Sequence, residues 1–461
     1  MRPRQLWVYV TIYVALVGLL VFLNYAAHKQ PGMLRVPVYF FQSVCYQLLI
    51  FQVVLLWAVG AYNSGSVIRD EITGKSYDFF RMLPLSAGKK AAGILVGKNL
   101  VVLLFGLVNF VLLVIFGRLG QVNASLLQQS FFTLLSVAVL TSSVALLSSI
   151  DPSSRKRKGG MVTFVLLFLF LGLFLMRVLA AAWQLTELEI VQVKFYTLTL
   201  PPLVLAGLIA LYFSLWSIIG ILRKFTREDE PLFSRLGAYL FMLGYEFVLL
   251  GLFYSRLGGG GMTASWINYC YWLISLVPVL TVPVWSVRGF DRYLEHSGSI
   301  RRRLAENKSM MPRMLLYSNL SVALGLFGVW AACAIWTTVM AGLELLPQLY
   351  LIWILFSFYL FLVLLLELYV VCTPLSNRMG LLLAFIALVY VTLPLILHGI
   401  LDSDTLYLYS PAGFLFGMFR DLNGKTAAQA GVWMMNLLLC IVPAMLIWKR
   451  YLHILSTRRQ M

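Results

Sequence analysis

Twelve runs of mostly apolar residues, each close to the length of one bilayer crossing, divide this chain and limit its fold more than any other feature. A helix needs about 20 such residues to span the hydrocarbon. The runs cover approximately 6–27, 38–62, 95–117, 127–150, 160–182 and 201–222 in the first half, and 237–255, 265–287, 315–341, 348–372, 380–399 and 430–449 in the second. They are continuous rather than alternating, which fits α-helices and not a β-barrel. With 61% apolar and 12% charged residues, where a soluble domain has about 25% charged, the expected class is an all-α polytopic membrane protein. The run 201–222, opening on Pro201-Pro202, is the least regular in its half, and 237–255 is short.

Basic residues set the expected orientation. If the chain starts inside, 28 of its 36 Lys and Arg fall on the side of the two termini. The opposite side holds Lys29, Arg35, Arg118, Lys194, Arg256, Arg420 and Lys425, and Arg177 lies within a run. That bias is the positive-inside pattern, so both termini are expected in the cytoplasm. It accounts for the net charge of +18 through anionic lipid, with no nucleic-acid partner required. Cys45, Cys270, Cys333, Cys372 and Cys440 lie in or at the edge of apolar runs with no CxxC, so neither a disulfide framework nor a metal site is indicated. The first run has about 22 residues and no small-residue cleavage site, which reads as a retained helix rather than a signal peptide.

The chain reads as two related halves. Residues 1–222 form one six-helix half, 223–236 a charged cytoplasmic linker, and 237–461 a second, diverged half. In each, a long basic loop follows the second span. Gly74 and Gly298 in these loops are 224 residues apart, and the following pairs Asn99-Leu100 and Asn319-Leu320 are 220 apart. Because each half starts inside after an even number of spans, the repeat is expected to be parallel, about an axis along the membrane normal.

The polar stretch Asn63 to Lys90, wedged between apolar runs, carries the most specific pattern. It holds Arg69-Asp-Glu-Ile-Thr-Gly-Lys75 and Phe79-Phe-Arg-Met-Leu-Pro-Leu-Ser86, and Gly93-Ile-Leu-Val-Gly-Lys-Asn-Leu100 follows. An acidic residue before a Gly, a Leu-Pro turn with a small polar residue, and a Gly-Lys entering the next span together resemble the loop between helices two and three of ABC-2 type transporter permeases. The resemblance implies an exporter's membrane subunit in a bacterial inner membrane, with both halves fused and two copies of a separate ATPase as partner. The cargo it suggests is lipid-like, drug-like or peptide. It also implies that Glu71, Gly74, Lys75, Tyr77, Phe79, Phe80, Met82, Leu83, Pro84 and Lys89 couple to the ATPase, with Glu295, Gly298 and Arg301 as counterparts. The second loop keeps Glu295 and Gly298 but lacks the Leu-Pro turn and the Gly-Lys. Tyr77, Phe79, Phe80, Met82 and Leu83 offer apolar anchors at helical spacing between Gly74 and Pro84. A helix lying in the lipid headgroups would have the same pattern.

No GxxxxGK[ST] occurs, since Gly93 and Gly97-Lys98-Asn99 enclose only three residues. ATP and Mg are therefore expected on the partner, with no cofactor on this chain. Neither HExxH nor GxSxG is present, so no catalytic residue is assigned. Three ionisable residues fall inside runs: Arg177, placed to snorkel outward, Glu367, near the cytoplasmic end of its run, and Glu246, near the middle of 237–255. Glu246 and Glu367 are the candidates for a substrate path, and a Glu bonded to a neighbouring helix is the structural alternative. An ion-coupled secondary transporter of twelve helices is the competing class. Its long cytoplasmic loop would lie between the halves rather than after each second helix.

The orientation predicts a labelling pattern. Ser76→Cys and Ser297→Cys should react with a membrane-impermeant thiol reagent only from the cytoplasmic side, and Asn123→Cys only from the other. Reaction of all three from one side would overturn the topology.

Overall fold

The computed structural model describes residues 3–28, 37–74, 82, 84–150, 192–226, 232–257, 261–286, 319–372, 438, 440, 441 and 443–446. About 90% of these are helical. The helices are α1 (Pro3–His28), α2 (Pro37–Val53), α3 (Gly60–Thr73), α4 (Ala87–Ala92), α5 (Leu100–Leu119), α6 (Ala124–Ile150), α7 (Pro202–Thr226), α8 (Arg235–Leu257), α9 (Gly261–Ser286), α10 (Asn319–Met340) and α11 (Leu345–Cys372). A π turn, Val54–Val59, joins α2 to α3, and a second, Gly93–Lys98, joins α4 to the start of α5. A two-stranded hairpin, β1 (Val193–Phe195) and β2 (Leu198–Leu200), precedes α7.

Seven helices among the described residues are long and apolar enough to cross a membrane, and shorter apolar stretches Val10–Ala26 and Leu351–Leu365 lie in α1 and α11. The chain is thus a multi-pass, all-α membrane protein. The expected runs 160–182 and 380–399 lie outside the described residues, as does most of 430–449.

Two compact units divide the chain. One is Met1–Lys194 with Leu198–Glu230, and the other is Pro231–Met461 with Phe195–Thr197. In the first, α2, the π turn and α3 form one unbroken helical path from Pro37 to Thr73. At 1.5 Å per residue that is about 55 Å, well beyond the roughly 30 Å of hydrocarbon, so the polar end must extend past it. The expected loop at Asn63 is therefore helix as far as Thr73. Ile68 is buried there with Ala91, Ile94, Leu146, Ile150 and Ile221, and this packing outweighs the weak helix propensity of Asn63-Ser-Gly-Ser. Nearer the other end, α2 packs on α5 through Val44, Cys45, Leu48, Val102 and Leu113.

Helices α6 and α7 run parallel. Thr133 Oγ1 donates to Leu203 O at 2.6 Å near their starts, and Leu146 and Ile150 pack with Ile221 near their ends. Pro202 stands at the first helical position of α7, where a missing N–H costs nothing, so the expected irregularity does not arise. At Gly207 a side chain would run into the Phe132 ring and lie against the Thr133 backbone. A small residue there lets two helices approach closely, which drives association where no water is available to do so.

The second unit contains α8, α9, α10 and α11. Leu257 and Ala341 share a small core at one end, and Tyr239 on α8 meets Ser321 O on α10 near the other, so these two helices run parallel. Helix α9 runs against α10, pairing Asn268 with Thr338 and Ser275 with Trp330. It runs with α11, pairing Tyr269 with Gln348 and Val279 with Tyr359.

Gly207→Leu should destabilise the first unit by about 1–3 kcal/mol, the usual cost of overpacking. Thermal unfolding in detergent checks this, and Phe132→Ala in the same chain should recover part of the loss.

Candidate functional site

The first region of interest is a pedestal at the polar end of the first unit, built by α3, α4, the second π turn and the last turns of α6 and α7 around Ile68, Ile94 and Ile221. Gly74 ends α3, its N–H donating to Asp70 O at 2.8 Å. Ser86 caps α4, its hydroxyl accepting from the Lys89 N–H at 3.4 Å. Asp70 Oδ2 and Lys98 Nζ lie 3.7 Å apart and half-exposed, a pair worth about 0–1 kcal/mol. A stronger tie is buried: Asn99 Nδ2 donates to Ser64 Oγ at 2.7 Å, joining the start of α5 to α3.

This pedestal holds the ends of the segment 74–86. Glu71 lies in the last turn of α3, partly buried, and Gly74, Pro84 and Lys89 are exposed. Met82 and Leu85 are 75% and 47% exposed. Lys75, Tyr77, Phe79, Phe80, Leu83, Glu295, Gly298 and Arg301 lie outside the described residues.

The second region is a line of polar contacts inside the second unit. Glu246 on α8 is 2% exposed, and Tyr271 on α9 donates its hydroxyl to Glu246 Oε2. Glu246 Oε1 has no hydrogen-bond partner among the described residues. Along α9, Trp272 Nε1 reaches Thr337 Oγ1 at 3.4 Å, and Ser275 Oγ accepts from Trp330 Nε1 at 2.9 Å. A carboxyl buried in this setting is costly and marks a functional candidate. Glu367 lies in α11, and its side chain is outside the described residues. Groups of His, Cys, Asp and Glu able to hold a metal are absent among the described residues.

Sequence reasoning picked out Glu246 but missed its partner, because one Tyr among 23 carries no signal of its own. It also missed two tyrosine contacts with the α9 backbone. Tyr245 OH donates to Ile274 O at 3.0 Å, and Tyr359 OH lies 3.2 Å from Val279 O and 3.0 Å from Ala323 O. Outside the spans, the hairpin tip seats Tyr196, at φ 52°, against Phe247 and Tyr254 of α8, with its hydroxyl donating to Phe247 O at 2.7 Å. Burial raises that hydroxyl above the usual tyrosine range.

Comparison of the chain with protein-family models, with curated proteins and with solved structures finds no match. The fold and these two regions define a polytopic helical membrane protein, and its function rests on the residues themselves.

Tyr271→Phe should lower stability by about 1–3 kcal/mol by stripping a buried carboxyl of a donor. Glu246→Leu combined with Tyr271→Phe should lose less than the sum of the two single changes. A double-mutant cycle on unfolding temperatures measures the coupling, and strict additivity would deny it.

Proposed function

We propose that this chain is the transmembrane permease subunit of an ABC transporter, exporting a lipid-like, drug-like or peptide cargo and driven by a separate ATPase that holds ATP and Mg. The supporting observation is the segment 74–86. Its two ends are fixed on a packed helical pedestal, and Met82 and Leu85 stand clear of it. Exposed apolar side chains beside a packed base suit a partner's groove, because a few buried apolar anchors carry most of a docking energy. Such a base also passes force in both directions, since α3 continues through Gly60 into the membrane.

In this reading the chain has twelve spans in two parallel six-helix halves, with both termini in the cytoplasm of a bacterial inner membrane. The parallel packing of α6 and α7 supports counting 160–182 as a span, because consecutive crossings in one direction need a return between them. Nucleotide-dependent closure of two ATPase copies would move the loops after the second spans. It can drive transport only if the nucleotide-bound ATPase favours one arrangement of the halves by a few kcal/mol. Glu246 favours a second reading, an ion-coupled secondary transporter, since buried carboxyls in spans mark ion pathways.

Reconstitution separates the two: transport that requires an ATPase partner supports the first, and transport on an ion gradient alone supports the second. Met82→Asp with Leu85→Asp, and independently Phe79→Asp with Phe80→Asp, should each cut co-purification of the ATPase by about tenfold or more, the loss of one strong anchor. Full retention in both variants would remove the docking role.

A further inference from the structure

The second span of the first unit and α9 of the second are weakened at the same place. In the first, the π turn Val54–Val59 interrupts the regular ladder between α2 and α3. In the second, α9 carries Pro278 and Pro283 inside the helix. Pro278 and Pro283 stand 224 residues after Val54 and Val59, the same spacing that separates Gly74 from Gly298.

Each proline removes an N–H and leaves the carbonyl four residues earlier without its helical donor. Those carbonyls are Ile274 O and Val279 O, the two that the tyrosines reach, Tyr245 from α8 and Tyr359 from α11. The π turn is held from outside as well, its Trp57 indole donating to Leu134 O on α6 at 3.0 Å. A wide turn and a proline pair share no sequence pattern. What the two units share is the position of the weak point and its restraint by a neighbouring helix.

Contacts above this position match too. Asn24 on α1 bonds Gln47 on α2 at 2.5 Å, and Glu246 and Tyr271 hold the corresponding places 222 and 224 residues later. In the first unit the weak point is also where the helix changes partners. Below it α3 packs on α6 around Ile68, Leu146 and Ile150, and above it α2 packs on α5 around Leu48 and Leu113. π turns recur at functional sites, and prolines in spans are tolerated where neighbours take over the freed backbone groups.

We propose that the second span of each unit is a hinge, bending at Val54–Val59 and at Pro278–Pro283, with Trp57, Tyr245 and Tyr359 as the clamps that hold one bent state. Bending would swing the end of the span that leads into the basic loop against the rest of its own unit. A kink of about 20° acting through the 14 residues of α3 displaces its end by about 7 Å. The proposal stands apart from the ATPase reading, because a hinge can serve any driving partner or none.

Pulsed electron–electron distance measurements on the full chain in lipid nanodiscs test it, with spin labels introduced as noncanonical residues at exposed positions. Val8 with Tyr62 reads past the first hinge, Leu236 with Leu280 reads past Pro278 within the second, and Trp336 with Trp353 is the control. Both hinge pairs should give distributions broader than the control by several ångström. Pro278→Ala with Pro283→Ala should narrow the 236/280 pair to the control width and leave 8/62 unchanged. Should that variant fail to fold, Tyr359→Phe, which removes one oxygen, should broaden 236/280. Hinge pairs as narrow as the control, breadth in only one unit, or a 236/280 width indifferent to the prolines and to Tyr359 would overturn the proposal. Loss of ATPase binding, or its absence, would not bear on it.

Discussion

The hydrocarbon of a bilayer offers no water to a backbone N–H or C=O, so every break in a helical ladder must be made good by protein. In α9 this demand fixes the bundle around it: two prolines leave two carbonyls open, and two tyrosines from two different helices meet them. Each such bond is worth only about 1 kcal/mol in a membrane. The value of these bonds lies in register, since a hydroxyl at the end of a ring reaches one carbonyl of a given helix and not the next along it. The positions of α8 and α11 along α9 follow from that reach. The polar contacts of Trp272 and Ser275 fix α10 on another face in the same way.

In the first unit amides make the polar contacts between spans. Asn109 Nδ2 donates to Leu48 O at 3.0 Å and to Gln52 Oε1 at 2.6 Å, while Gln52 Nε2 donates to Gly106 O at 3.0 Å. An amide can donate and accept at once, so these two side chains pair with each other and with both backbones. Glu246 has no such versatility when ionised, since a carboxylate only accepts. Tyr271 supplies one donor, and Glu246 Oε1, like Asn109 Oδ1 in the first unit, has no hydrogen-bond partner among the described residues. The two units thus solve one packing problem with different chemistry, and in the second the solution places a carboxyl group in the interior.

Much of the architecture was legible because apolar run length is a direct readout of bilayer thickness. The runs at 127–150 and 348–372 fall within a few residues of α6 and α11. Boundaries failed where tertiary packing overrode composition. Asn63-Ser-Gly-Ser reads as a loop, yet it is helix because Ile68 beyond it is sealed against Ile150 and Ile221. Glu246 was visible as a charge in an apolar run, since its cost announces it. Tyr271, Tyr245 and Tyr359 were not, because an aromatic residue in a span is ordinary and only its hydroxyl's partner gives it a role. The π turn at Val54–Val59 left no trace in Val-Leu-Leu-Trp-Ala-Val, which any regular helix could contain.

Tyr359 carries one hydroxyl hydrogen and faces two carbonyls, Val279 O at 3.2 Å and Ala323 O at 3.0 Å. It can satisfy only one of them fully at any instant, or both of them poorly. The contact of α11 with α9 therefore competes with its contact with α10 for the same proton. A rotation of one C–O bond, with no movement of the ring, decides which of the two carbonyls receives the proton.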